Sequence, residues 1–352
     1  MKNKYQMDLF SENIDLRIAK INKYDVEVEN DKLRQFKDVL IKHESMYPGI
    51  DKWFKNKVLP GIRDGERVAY LGYKNNDPIV SAVVKKGKIA KFCHLHIEEE
   101  LRNNKLGELF FSMMAVDIRN KAKSVYFTLP ESLWSDKQAF FSSFGFSDAA
   151  KSEIQYRSSE EELKSSTSFA ELWKNVLVKL PKIISTFTPY NEDIFTGLLM
   201  SVKPKYIEMI KSGVKVVEIR KKFNPKWRGC RVTLYTSSPL QVICGHATID
   251  SVVKGSPNDI WNRYESDIGG TKKEYDEYVD AATQIYAIKL KDYKPYHDML
   301  ELNYISHLIS RNLQPPQSYL SIANSREWTE AISLVELLHG RFQLYFSKTF
   351  SL

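Results

Sequence analysis

Two stretches of the sequence concentrate residue types able to do chemistry. The first is Cys93-His-Leu-His-Ile-Glu-Glu-Glu-Leu-Arg102-Asn-Asn-Lys-Leu-Gly107-Glu108. An alternating run, Ile89 to Ile97, ends there in a polar turn, and a helical pattern begins near Lys105. Free backbone N–H groups at such a helix start, with the positive end of its dipole, make an anion site. Gly107 lets a ligand approach the backbone closely. Strand side chains alternate, so His94 and His96 share one face while Leu95 and Ile97 share the other. Two histidines on one face are candidate general bases, because imidazole titrates near neutral pH. The competing reading is two half-buried polar side chains on a solvated face. Glu98 is a third candidate base, although Glu98–Glu100 also suit the start of a helix as dipole-complementing charges.

The second stretch runs from Lys203 to Arg231, where ten Lys or Arg meet only two acidic residues, Glu208 and Glu218; this fits a polyanionic partner or a plain basic face. Leu198 to Val202 reads as a strand entering a helix with Pro204 in its first turn. Lys215 to Arg220 alternates as a strand, with Val217 and Ile219 on one side and Glu218 and Arg220 on the other. Pairing of these two strands would bring Lys203 beside Lys215 and form a cluster with Glu218 and Arg220. That cluster is either a nucleic-acid contact or a surface ion-pair patch. Phe223, Trp227 and Tyr235 are candidates for stacking on bases or for the core.

These segments need scaffolds. Around the first, the pattern predicts a strand near Ile14–Ile21, a helix over Leu33–Leu40, and a hairpin of Val68–Tyr73 with Ile79–Val84. Strand Ile89–Ile97, a helix over Lys105–Lys121, strand Val125–Leu129, a helix over Asp136–Phe144 and a last strand Ile154–Arg157 follow. The unit resembles the GNAT superfamily of N-acetyltransferases. Arg102-x-x-Lys105-x-Gly107 is similar to its Arg/Gln-x-x-Gly-x-Gly/Ala signature, and Ala139–Phe146 to its alanine-aromatic segment. The resemblance covers residues 13–157. It implies acetyl-CoA as cosubstrate, with the turn amides on the pyrophosphate and the pantetheine arm between strands 89–97 and 125–129. It implies cofactor contacts at Leu95, Ile97, Arg102, Asn103, Asn104, Lys105, Leu106, Gly107 and Glu108. The first signature glycine is Lys105 here, and the usual tyrosine that protonates the leaving thiolate is Phe141, which has no proton to give. Ser142, Ser143 and Glu131 are candidates to assist through water.

The second stretch resembles the ASCH domain, a PUA-like small β-barrel. Ser201-x-Lys203-Pro204, Gly213-x-Lys215 and Glu218-x-Arg220 carry the likeness, with Gly229–Pro239, Val242–Ile249, Ser256–Trp261 and Tyr286–Leu290 in order behind them. It spans residues 197–296 and implies RNA or nucleotide recognition at Lys203, Lys215, Glu218 and Arg220. Members that hydrolyse an acetylated cytidine pair the lysine with a threonine; Glu218 stands there instead. Pro315–Tyr319 is similar to a segment found beside such domains.

The expected chain is thus α+β: a GNAT-like mixed sheet flanked by helices over 13–157, a helical linker over 158–196 whose helix stops at Pro181, the small barrel over 197–296, and a helical extension over 297–352. A length of 352 residues suits two cores rather than one. No apolar run is long enough to span a bilayer and the first residues lack a signal core, so a cytoplasmic protein without membrane contact is expected. Three cysteines without Cys-x-x-Cys spacing argue against a metal knuckle or a disulfide framework. The expected activity is transfer of an acetyl group to an amine of RNA, a tRNA among the candidates, or to an RNA-associated amine, and a protein acceptor stays open. The alternatives are a nucleic-acid-binding regulator that only senses acetyl-CoA, and a hydrolase or nuclease working in the second unit.

Overall fold

The computed structural model describes residues 11–347 except 43, 45, 46, 103, 104, 157, 158, 188–193 and 340; side chains are further left undescribed at 11–15, 297–299, 339 and 341–347. The chain forms two compact units, residues 1–187 with 340–352, and residues 188–339.

In the first unit β1 (Ser11–Ile21) leads to α1 (Lys23–Glu27) and α2 (Asp31–Ile41). Asn22 and Asn30 cap these helices, each accepting a backbone N–H three residues on, which fixes where the chain turns. Then come α3 (Ile50–Trp53), a π-helical turn and α4 (Leu59–Arg63), followed by β2 (Arg67–Lys74), β3 (Asp77–Lys85) and β4 (Ile89–Ile97). After these, α5 (Leu106–Ile118), β5 (Ser124–Pro130), α6 (Glu131–Ser142), β6 (Ala149–Lys151), β7 (Glu162–Ser168) and α7 (Phe169–Thr186) complete the run. The sheet has the order β14-β1-β2-β3-β4-β5-β7-β6, with β14 (Arg341–Ser347) returning from the chain end to pair with β1. Among the described residues its one parallel pair is β4 with β5. On one face Phe36, Leu40, Phe54 and Val58 of the helical layer bury against Leu71, Tyr73 and Val83. On the other, Phe111 of α5 is the hub of a phenylalanine cluster, with ring centroids 5.0 Å from Phe92 and Phe140 and 5.2 Å from Phe144.

The second unit holds β8 (Leu198–Val202), α8 (Pro204–Lys211), β9 (Val217–Arg220), β10 (Arg231–Thr236), β11 (Val242–Gly255), α9 (Pro257–Ile268), α10 (Lys272–Val279), β12 (Ile285–Glu301), α11 (Leu302–Ile309), β13 (Tyr319–Ser321) and α12 (Arg326–His339). Its sheet order is β13-β8-β10-β11-β12-β9. Three register shifts along β11 and β12 bend that long hairpin, and bulges are how a sheet acquires barrel curvature. Helix α12 is held by a buried knot in which Arg231 Nη2 lies 2.5 Å from Glu336 Oε1 and 3.0 Å from the Tyr296 hydroxyl.

The chain is α+β, as its patterns predict, but several segments differ from expectation. Residues 158–196 are not a helical linker: β7 is hydrogen-bonded to β5 and β6, and α7 packs on α5. Helix α7 runs through Pro181 to Thr186, because its apolar stripe (Leu172, Val176, Leu180) continues past the proline in Ile183 and Ile184. No strand forms at 154–157 among the described residues; β6 and β7 flank it. The 297–352 stretch is not purely helical: β12 extends to Glu301, β13 pairs with β8 and β14 joins the first unit's sheet. Among the described residues no helix is long and apolar enough to cross a membrane.

Candidate functional site

Strands β4 and β5 pair over only three positions, Ile89–Lys91 with Ser124–Tyr126. Past Lys91, β4 stays with β3 as far as Ile97, while β5 stays with β7 as far as Pro130. The two parallel strands therefore part and leave a wedge. A backbone edge opened in this way has N–H and C=O groups to offer an extended, amide-bearing ligand. A cavity of about 550 Å³ fills the wedge, walled by Phe92–Ile97, Phe127–Leu129, Arg102, Lys105, Gly107, Phe140 and Phe141. That size suits a small-molecule site.

A register shift between Val83 and Val84 leaves Cys93 as an extra residue in β4. Such a bulge re-aims the side chains on either side of it. Phe92 thus packs on Phe111 of α5, whereas the His94 ring meets Tyr47 at 5.9 Å and Trp53 at 6.4 Å in the opposite layer. His94 and His96 both border the cavity, and both are buried, at 7% and 9% exposure, rather than half-buried on a solvated face. His94 Nε2 lies 2.8 Å from Ser81 Oγ, so one ring nitrogen is fixed by a hydroxyl. Glu98 does not border the cavity; its backbone N–H donates to Ile79 O and it precedes the 3-10 turn at Glu99–Leu101. As a candidate base it is set aside.

At the turn before α5, Leu106 opens the helix with its side chain buried, leaving only its backbone for a ligand. Asn103 and Asn104 lie outside the described residues. Arg102 Nε donates to Ile97 O at 3.3 Å and its guanidinium is partly exposed beside the cavity. Lys105 has φ +58°, the left-handed region, which explains why a glycine suits this signature position. A lysine there costs on the order of 1 kcal/mol or more; its ammonium sits 3.2 Å from Glu108 Oε1. A Cβ on Gly107 would come within 3.2 Å of the Phe140 ring, so this glycine leaves room for the ring as well as for a ligand. Leu95 and Ile97 both line the cavity.

Phe141 is stacked parallel on Trp134 at 5.7 Å and lines the wedge without a donor. Ser142 and Ser143 bond to backbone carbonyls of Phe146 and Phe140 and do not border the cavity, and neither does Glu131. Hydrogen donors outside the expected site residues also border it, among them Cys93 and Thr128. Burial pushes the Cys93 thiol pKa up, opposed by Arg67 and Lys91, and Arg67 Nη1 lies 2.9 Å from its sulfur.

In the second unit β8 and β9 are not sheet neighbours, so the expected pairing of these strands does not occur. Instead β9 and β8 approach across the open seam of the barrel, and Arg220 Nη2 donates to Ser201 O at 2.5 Å. A cavity of about 880 Å³ lies at this seam, bordered by Lys203, Lys215, Glu218 and Arg220. Lys215 is buried and donates to Val217 O at 2.7 Å and Ile268 O at 2.6 Å, with Glu218 Oε2 3.2 Å away. Burial pushes its pKa below the ordinary value; Glu218 opposes the shift, while Arg220 and Lys205 add to it. Glu218 Oε1 holds Arg220 Nη1 at 2.8 Å, and Arg220 Nε is buried without a hydrogen-bond partner among the described residues. Lys203 is exposed and caps the start of α8 without an ion pair among the described residues. Tyr206, Tyr275 and Tyr278 join the wall, as does Pro315–Ser318, which Ser201 pins by donating its hydroxyl to Pro316 O at 2.5 Å. Of the three expected stacking residues, Tyr235 lines this cavity, Phe223 is buried against Tyr319, and Trp227 packs on the barrel core. An arginine donor, four lysines and tyrosine rings around one void are chemically suited to a phosphate-bearing aromatic ligand.

The family model described as "Domain of unknown function (DUF365)" matches residues 194–309. The protein named ASCH domain-containing ribonuclease from Zymomonas mobilis subsp. mobilis is 28% identical over 136 residues, 39% of this chain and 90% of that protein. A crystal structure of ASCH from Zymomonas mobilis is similar at 26% identity and a TM-score of 0.36, covering 40% of this chain and 95% of that one. A crystal structure of an acetyltransferase from Thermus thermophilus is similar at 16% identity and a TM-score of 0.30, covering 44% of this chain and 96% of that one.

Proposed function

We propose that this chain, a GNAT-like unit joined to an ASCH-like unit, is an acetyl-CoA-dependent N-acetyltransferase acting on an amine of RNA or of an RNA-associated molecule. The observation that carries the reading is the wedge between β4 and β5, which reaches from a helix-start anion site to two buried histidines. When bound, acetyl-CoA supplies the thioester whose carbonyl carbon the amine attacks; the C–N bond forms and the C–S bond breaks. The turn at Lys105–Glu108 offers backbone N–H groups to the pyrophosphate. Backbone N–H groups of Leu95–Ile97 are the donors suited to the oxyanion. His94 or His96 takes the proton from the attacking nitrogen. Phe141 has no proton to give the leaving sulfur, so Cys93, whose thiol burial keeps protonated, or Thr128, both bordering the wedge, takes that role in this proposal.

The ASCH-like unit holds the RNA in this proposal, through Lys203, Lys215, Glu218 and Arg220. The test is release of free CoA thiol from acetyl-CoA on addition of RNA. His94→Ala and His96→Ala together should cut the rate by about 100-fold or more. Acetyl-CoA binding without RNA-dependent thiol release would leave a sensing role and remove the transferase. A second reading rests on the buried Lys215–Glu218–Arg220 group and the ribonuclease name of the relative: RNA cleavage in the second unit. Cleavage of end-labelled RNA without acetyl-CoA, lost in Lys215→Met, would favour it.

A further inference from the structure

Beside the wedge lies a group of side chains that the transfer reaction does not use. Lys91 of β4 is directly opposite Tyr126 of β5, and Thr128 of β5 is opposite Lys164 of β7. The Lys91 ammonium is 5.4 Å from the centroids of both Tyr126 and Tyr156, and Lys164 is 4.9 Å from Tyr126. Neither lysine has a carboxylate partner among the described residues. Ile89, two residues before Lys91 on β4, and Ile154 and Tyr156 are 67%, 59% and 49% exposed. An exposed ring (Tyr156), a half-buried ring (Tyr126), exposed branched aliphatics and two ammonium groups without a carboxylate partner among the described residues thus lie on or beside these strands.

We propose that this surface binds single-stranded RNA, with bases stacking on Tyr126 and Tyr156 and phosphates meeting Lys91 and Lys164. The charge decides between occupants. An apolar protein face would bury two unpaired ammonium groups at its centre, which is costly, whereas a nucleic-acid strand supplies both the phosphates and the stacking faces. Position supports the choice. Tyr126 and Lys91 each lie two residues from a wall residue of the wedge, Thr128 and Cys93. At a strand rise of ~3.3 Å per residue that is about 7 Å. A strand stacked here delivers its next nucleotide to the wedge. The inference rests on RNA as the acceptor but assigns a contact in the first unit, separate from the cationic cavity of the second.

The test is ultraviolet crosslinking of the full chain to a single-stranded oligonucleotide carrying 4-thiouridine, with the crosslinked peptides read by mass spectrometry. Crosslinks on peptides holding Tyr126 or Tyr156 are expected. Tyr126→Ala should weaken binding of the same oligonucleotide about 5- to 100-fold. Lys91→Gln with Lys164→Gln, conservative at the surface, should lower the salt slope by roughly 1 to 2. Crosslinks confined to residues 198–278 overturn the proposal. So does a wild-type dimer that the lysine substitutions dissociate with RNA affinity unchanged, since the patch is then an interface between copies. Crosslinks at Tyr126 without any acetyl transfer would count against the enzymatic reading and leave this surface standing.

Discussion

Gly107→Glu is the sharpest perturbation of the wedge. It puts a carboxylate on the second residue of α5, where the pyrophosphate of acetyl-CoA is proposed to meet free N–H groups. Two like charges about 4 Å apart repel by about 1 kcal/mol in bulk water and about 4 kcal/mol at the effective dielectric of a protein surface. The expected loss is therefore about 5- to 1000-fold in affinity. The new Cβ also meets the Phe140 ring, with Cε2 at 3.2 Å and Cζ at 3.4 Å, so a steric part must be separated from the charge. Gly107→Ala does this. It adds the same Cβ without the charge, and the ring need move only a few tenths of an ångström. Alanine's helix propensity, up to ~1 kcal/mol better than glycine's, offsets that movement. The alanine variant should keep a near-wild-type melting temperature and lose less than about 10-fold in affinity. Calorimetric titration with acetyl-CoA, with circular dichroism to confirm folding, reads both. A folded glutamate variant that binds acetyl-CoA as the wild type does would refute the pyrophosphate assignment.

Other outcomes follow from the packing and charges. Phe111→Ala removes the ring at the centre of the phenylalanine cluster and should cost about 3–5 kcal/mol in urea unfolding of the first unit. Arg231→Met leaves Glu336 buried beside Tyr296 alone of this knot and should cost about 3–5 kcal/mol, seen as an earlier transition of the second unit. The folded-state pKa of Lys215 lies below its ordinary value of 10.5. Between the two values the folded chain holds fewer protons than the unfolded one, so this group's contribution to stability rises with pH. Lys215→Met should flatten that rise in denaturation profiles recorded below pH 10.5. Lys203→Ala, at an exposed residue, should reduce the salt slope of RNA binding by about 1 without altering stability.

The strand, turn and helix of the first site were legible because alternation to Ile97 and an apolar helical period after Lys105 are local signals. The hairpin of β2 and β3 was equally plain from its Asn-Asn-Asp-Pro turn. Strand β7 escaped because Glu162–Ser168 is serine-rich with a single aliphatic side chain, Leu163; its place is set by pairing with β5, where Ser165 is buried. The Pro181 stop failed because packing of an apolar stripe outweighs the one hydrogen bond proline forgoes. The Lys203, Lys215, Glu218 and Arg220 group was found in sequence for an incorrect reason. Strand pairing does not unite it; the seam between β9 and β8 does, and sheet order is a long-range property that no local period encodes. Glu98, a single residue past the end of β4, is not among the residues that wall the wedge, although it adjoins Ile97 in sequence.

The central claim is acetyl transfer to RNA. Incubating the full chain with isotope-labelled acetyl-CoA and total RNA, then digesting the RNA to nucleosides for mass spectrometry, tests it directly. The account predicts a nucleoside heavier by one labelled acetyl group, absent when His94 and His96 are both alanine. Label confined to protein, or no label at all with acetyl-CoA demonstrably bound, would contradict it.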